Sequence, residues 1–272
     1  MEYVTVQDTE VPALGFGTWR MRGTECRKAV GTALDLGYRH IDTAQAYRNE
    51  REVGAAIRLS DVDREDLFLT TKLDWSSRDH EGVLESTQGS LNKLGTDYVD
   101  LLLIHQRNLR TSLEETLGAM DELYEEGSVR HIGVSNFSVE RLDRARRIAD
   151  APIFTDQVQY HPFWGQRDLL DYCQIHDLML TAYSPLAHGG AVRDGMLRDI
   201  GARYDKSPAQ VALRWLIQQD NVATIPKSTS REHIADNLEV FDFELSEREM
   251  HEIRRPSAAR TAAHFVRGRL SW

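Results

Sequence analysis

Short apolar runs alternate along this chain with longer segments in which apolar positions recur every three or four residues. The short runs are residues 14–18, 40–42, 67–72, 99–105, 131–135, 155–159, 180–183 and 222–225. Several are almost wholly apolar, which is the pattern of strands covered on both faces. That predicts eight strands, with a small hairpin ahead of them at residues 3–6 returning near Val11.

The longer segments read as amphipathic helices with recognisable ends. Residues 25–36 run into Gly37, which suits a helix C-terminus. Ser112 with Glu115 reads as a capping box for a helix to Glu126, closed by Gly127. Ser207-Pro208-Ala209-Gln210 adds a proline at the first helical turn. Thr229 with Glu232 and Ser246 with Glu249 repeat the box, and Ser138 can cap the helix that follows it.

Strands and helices in alternation leave a (β/α)8 barrel or an open doubly wound sheet. The open sheet carries Gly-x-Gly-x-x-Gly after its first strand. Here Gly15-Phe16-Gly17 is followed by Arg20 at the third glycine position. The pair reads instead as a tightly packed passage from strand to loop. The expectation is one domain over residues 1–272, a TIM barrel with an N-terminal β-hairpin and a long loop after strand 7. That loop holds His188-Gly189-Gly190 and a short helix predicted at 192–203, and it is a candidate lid.

Composition narrows the partners. A net charge of −10 argues against a nucleic-acid surface. No stretch is apolar enough to span a membrane, and the first residues lack a signal peptide's basic and apolar regions, so the cytoplasm is the default location. Cys26 and Cys173 fall in predicted helices, read as packing residues, and supply neither a disulfide framework nor a metal cluster. Lysine is scarce, at positions 28, 72, 93, 206 and 227 only. Many acids with few lysines suit a salt-rich cytoplasm, and GC-rich coding bias gives the same arginine excess.

Three predicted strands end on residues with chemistry. Asp42 closes the second, with Tyr47 on the loop behind it; Lys72 closes the third; His105 closes the fourth. In a barrel these ends share one face. Carbonyl reduction needs a hydride on carbon and a proton on oxygen. Tyr47 is the candidate donor, although a free phenol has a pKa of about 10. An adjacent Lys72 would lower it, Asp42 would hold Lys72 charged, and His105 would orient the carbonyl oxygen. A Schiff base on Lys72 is the rival chemistry, opposed by the neighbouring acid.

This order of residues resembles the tetrad of the aldo-keto reductases, and the resemblance covers nearly the whole chain. It rests on Gly15-Phe16-Gly17-Thr18-Trp19, Asp42-Thr43-Ala44-x-x-Tyr47, Thr71-Lys72-Leu73, and the strand that ends at His105. It continues in Gly133-Val134-Ser135-Asn136-Phe137, Gln157 with Tyr160-His161-Pro162, Tyr183-Ser184-Pro185-Leu186, and Ile225-Pro226-Lys227-Ser228. Length and tail resemble the compact microbial, 2,5-diketo-gluconate-reductase-like type.

The resemblance implies NAD(P)H-dependent reduction of a small-molecule aldehyde or ketone by a monomer, with NADP(H) favoured. It places Gly17, Thr18, Trp19 and Asp42 beside the cofactor, and Ser135, Asn136 and Gln157 on the carboxamide. Tyr183 would stack on the nicotinamide, with Ser184 and Leu186 along the pyrophosphate. Lys227, Ser228, Thr229 and His233 would surround a phosphate, with Asp236 and Asn237 near adenine. Trp19, Tyr47, Trp75, His105 and Trp272 would wall the substrate pocket.

Four departures stand out. His233 replaces an arginine common among NADPH users, and a neutral imidazole cannot grip a 2′-phosphate bidentately. Arg231 stands nearby, so NAD(H) use stays open. Gln106 replaces a tryptophan after the histidine, Asp74 intervenes before Trp75, and Gln159 replaces a frequent glutamate. A non-catalytic, nucleotide-binding regulatory subunit is the alternative on the same scaffold.

Overall fold

Each strand lies beside the next in sequence order. The structure is a computed structural model that describes residues 1–74, 79–106 and 111–254. A hairpin, β1 (Tyr3–Val6) with β2 (Thr9–Pro12), precedes the main sheet. The sheet follows as β3 (Phe16–Gly17), β4 (His40–Asp42), β5 (Phe68–Leu73), β6 (Leu101–Ile104), β7 (Ile132–Ser135), β8 (Ile153–Gln159), β9 (Met179–Tyr183) and β10 (Val222–Thr224). All neighbours pair in parallel. Leu14 bridges Thr224 in parallel and closes the ring, and Gly15 N–H donates to the Thr224 carbonyl at 2.8 Å.

That seam explains Gly15-Phe16-Gly17. A Cβ on Gly17 would lie 2.7 Å from the Ile225 carbonyl oxygen, and one on Gly15 would lie 2.8 Å from the His40 ring. Both are closer than side chains tolerate, so the glycines serve barrel closure.

The helices are α1 (Gly23–Asp35), α2 (Glu50–Arg58), α3 (His80–Leu94), α4 (Leu113–Glu125), α5 (Val139–Ile148), α6 (Arg167–Ile175), α7 (Gly195–Gly201), α8 (Pro208–Ile217), α9 (Arg231–Asp236) and α10 (Glu247–Arg254). They leave β4 to β7 buried along their whole lengths. The capping box at Ser207 and Gln210 forms in both directions, and Ser112 accepts the Glu115 N–H. Ser246 and Glu249 also bond reciprocally.

Two local expectations are corrected. The cap of α9 is Ser230, not Thr229, because Ser228 Oγ accepts Ser230 N–H and shifts the turn by one residue. The segment expected as one helix at 192–203 is split at Asp194, whose extended backbone ends a 3-10 turn and whose carboxylate caps α7. Ser138 occupies the cap position of α5 without a side-chain bond. Among the described residues no helix is long and apolar enough to cross a membrane.

The strands' N-terminal ends are plugged with aromatic rings. His40 packs edge-on to Phe68 at 5.2 Å and its Nδ1 lies 3.3 Å from the Pro12 carbonyl. His131 stacks on Phe154 at 4.2 Å. Burial lowers the pKa of both imidazoles. An unfolded chain binds their protons below about pH 6.5, whereas the folded chain resists. Stability therefore drains away as pH falls through that value. His131→Phe removes one such group, so the urea midpoint of the variant should gain on wild type between pH 7 and 5. An unchanged gap between the two midpoints would contradict this.

Candidate active site

At the opposite ends of the strands, Lys72 near the end of β5 is fully buried. Its Nζ donates to Asp42 Oδ1 at 2.5 Å and to the Thr43 carbonyl at 3.0 Å. A buried ammonium demands such partners, because isolated charges are very costly away from water. Gln157 Nε2 donates to the other Asp42 oxygen at 2.8 Å. Its strand, β8, is four places from β4 in a ring of eight, so this bond crosses the barrel.

Tyr47 comes next. Its ring centroid lies 5.1 Å from Lys72 Nζ and 5.6 Å from the His105 ring, edge to face. The structure thus brings together all four residues expected at the mouth. His105 lies one residue beyond β6 and was expected inside it.

The turn that presents Tyr47 is pinned from several sides. It is a 3-10 turn, Gln45–Tyr47, followed by Arg48 at φ 56°. The Gln45 side chain donates to the Ser86 carbonyl and Ser90 Oγ of α3 and accepts Asp74 N–H. Asn49 is fully buried. It donates to the carbonyls of Thr18 and Met21 and accepts from Thr43 Oγ1, joining the Tyr47 turn to the loop carrying Trp19. Sequence reasoning missed both residues, because their partners lie up to 45 positions away.

Electrostatics at the phenol run against one expectation. Burial raises the Tyr47 pKa well above its ordinary value, and the Asp42 charge adds to this. Lys72, bonded to Asp42, does not outweigh the burial. Burial also lowers the Lys72 pKa, against the pull of Asp42. Tyr47 is therefore a protonated phenol through the neutral range, the form a proton donor needs.

Comparison with known proteins identifies the family. The Aldo/keto reductase family pattern covers residues 13–257. The chain belongs to that family. It is 42% identical over 247 residues to the 9,11-endoperoxide prostaglandin H2 reductase of Trypanosoma cruzi, covering 89% of this chain and 87% of that one. Against the glyoxal reductase of Bacillus subtilis it is 40% identical, covering 90% and 88%. The crystal structure of MGS-M4, an aldo-keto reductase from a Medee basin deep-sea metagenome library, superposes with a TM-score of 0.88 at 40% identity, covering 92% of this chain and 93% of that one.

Aldo-keto reductases generally use nicotinamide cofactors, and the side chains at the mouth fit one. Ser135 Oγ donates to the Gln157 carbonyl at 2.7 Å. Asn136 Nδ2 donates to Ser135 Oγ and to the His105 carbonyl, while its Oδ1 accepts the Tyr183 hydroxyl at 2.8 Å. The amides of Asn136 and Gln157 offer the donors and acceptors that a carboxamide requires, beside Asp42 and Lys72. Gly17 and Thr18 sit at the seam, with Thr18 Oγ1 donating to the Asp42 carbonyl at 2.9 Å.

The long loop after β9 reaches the loop that follows β3. His188 meets the Trp19 ring at 6.2 Å, and the Arg20 guanidinium lies 4.4 Å above that ring. Ser184 stands at the loop's start with φ 52°, and Leu186 packs against the core. Lys227, Thr229, Arg231 and His233 are exposed, with Ser228 half-buried among them. Asp236 is half-buried and Asn237 is buried. Trp75 and Trp272 lie outside the described residues.

Proposed function

We propose that the chain reduces aldehydes or ketones to alcohols, with Tyr47 delivering the proton to the carbonyl oxygen. A bound dinucleotide supplies the hydride to the carbonyl carbon. His105, edge-on to Tyr47, hydrogen-bonds the same oxygen and fixes its approach. Lys72, held by Asp42 and the Thr43 carbonyl, keeps an ammonium beside the phenol, which offsets part of the burial that opposes loss of its proton.

Ser135, Asn136 and Gln157 hold the carboxamide, and Tyr183 stacks on the ring. NADPH is the favoured cofactor, with Lys227, Ser228 and Arg231 on its phosphate. NADH is the second choice, because His233 cannot make the bidentate grip of an arginine. The Bacillus subtilis relative's name points to small aldehydes and dicarbonyls as the substrate class.

The buried Lys72–Asp42 pair beside Tyr47 and His105 carries this reading. Absorbance at the reduced-nicotinamide band, with NADPH and NADH in parallel, should fall on adding glyoxal or another small aldehyde, faster with NADPH. The panel should extend to keto acids and sugars. No loss with any of these carbonyls would refute it.

A further inference from the structure

Among the described residues, three buried side-chain polar atoms have no hydrogen-bond partner, and Asp156 Oδ2 is the one that belongs to an acid. Asp156 lies within β8 and is fully buried. Strand alternation turns its side chain to the face opposite Gln157, away from the barrel interior. There it sits beneath the turn that follows β7. Its Oδ1 accepts the Phe137 N–H at 3.4 Å.

That turn is the one presenting Asn136. The backbone there is left-handed, at φ 63°, and Asn136 N–H donates to the Gln157 carbonyl at 3.0 Å. Tyr183 holds the side chain from the other side. Asp156 is thus an acceptor within the support of a strained turn, directly behind the residues that face the carboxamide.

Among the described residues no ion pair compensates this carboxyl. Cys173 on α6 and Tyr183 on β9 feel its charge, and burial keeps both groups protonated. Arg146 on α5 reaches Cys173 electrostatically but donates to the Tyr172 hydroxyl at 2.7 Å. Burial pushes the Asp156 carboxyl up to about 8. The group therefore exchanges its proton close to neutral pH.

We infer that Asp156 is a positioning residue of the nicotinamide cradle, and that its ionised form favours the oxidised, cationic dinucleotide over the reduced one. The inference rests on the cradle reading given under Proposed function. A carboxylate accepts the Phe137 N–H more strongly than a neutral acid does, which fixes the turn. Its charge also acts through a dry interior toward the ring above Tyr183. Linkage is reciprocal, so binding the oxidised dinucleotide makes Asp156 release its proton.

The test titrates tryptophan fluorescence with NADP+ and NADPH from about pH 6.5 to 9.5. Wild type, Asp156→Asn and Asp156→Ala are compared. The ratio of the two affinities cancels the titration of phosphates, which both dinucleotides carry. In wild type the ratio should shift toward NADP+ by about fivefold or more across the range, the usual scale of a coupled site. Asp156→Asn keeps the acceptor, so it should retain the low-pH affinities with a flat ratio; Asp156→Ala should bind both forms more weakly. An indicator dye near pH 8 should report proton release on NADP+ binding by wild type and none by Asp156→Asn. A flat wild-type ratio, or an Asn variant that follows wild type, overturns the inference alone. Failure of wild type to bind either dinucleotide overturns the cradle reading and this inference with it.

Discussion

Tyr47→Phe should lower kcat by about 100- to 10,000-fold, the usual contribution of a well-placed acid, and leave dinucleotide affinity nearly unchanged. The substitution removes one oxygen and keeps the ring that packs edge-on to His105. Lys72 stays bonded to Asp42 and Thr43, so the polar floor of the site survives. Steady-state kinetics with a small aldehyde, beside fluorescence titration with NADPH, separate the two effects. A Phe variant of normal kcat would remove Tyr47 from the proton-donor role. Equal loss of binding and turnover would mean that the hydroxyl holds the cofactor instead.

Asp42→Ala should be the most damaging single change to the folded state. It leaves the Lys72 ammonium buried with only the Thr43 carbonyl as partner and takes an acceptor from Gln157. Breaking such a pair from one side costs about 3–5 kcal/mol. Lys72 limits the damage by shedding its proton, which burial already favours. The double variant Asp42→Ala with Lys72→Met leaves no buried charge there. Its denaturant midpoint should recover most of the single variant's loss, with activity still absent. A single variant as stable as wild type would show that the pair contributes nothing to the fold.

The barrel was legible because its strands are short apolar runs at regular intervals, and because Ser207-Pro208 and Ser112 mark helix starts in plain residue types. The mouth was legible too, since Asp42, Lys72 and His105 interrupt apolar runs at their ends. Other features depend on contacts that no local pattern encodes. Asn49 looks like any loop asparagine until two loops close around it. The cap of α9 moved from Thr229 to Ser230 through a serine two residues earlier. The phenol's electrostatics depend on Asp42 lying closer to Lys72 than Tyr47 does, a matter of ångströms that sequence order cannot convey. Alternation along β8 does say that Asp156 and Gln157 face opposite ways. It does not say that, among the described residues, the layer behind the strand pairs Asp156 with no cation.

The most direct measurement uses NADPH carrying deuterium at both hydrogen positions of nicotinamide C4, with wild-type protein and a small aldehyde. Mass spectrometry of the alcohol should find the deuterium bonded to the carbinol carbon and a solvent-exchangeable proton on oxygen. An unlabelled alcohol carbon, or intact aldehyde after many equivalents of active-site concentration, would contradict carbonyl reduction at this barrel mouth.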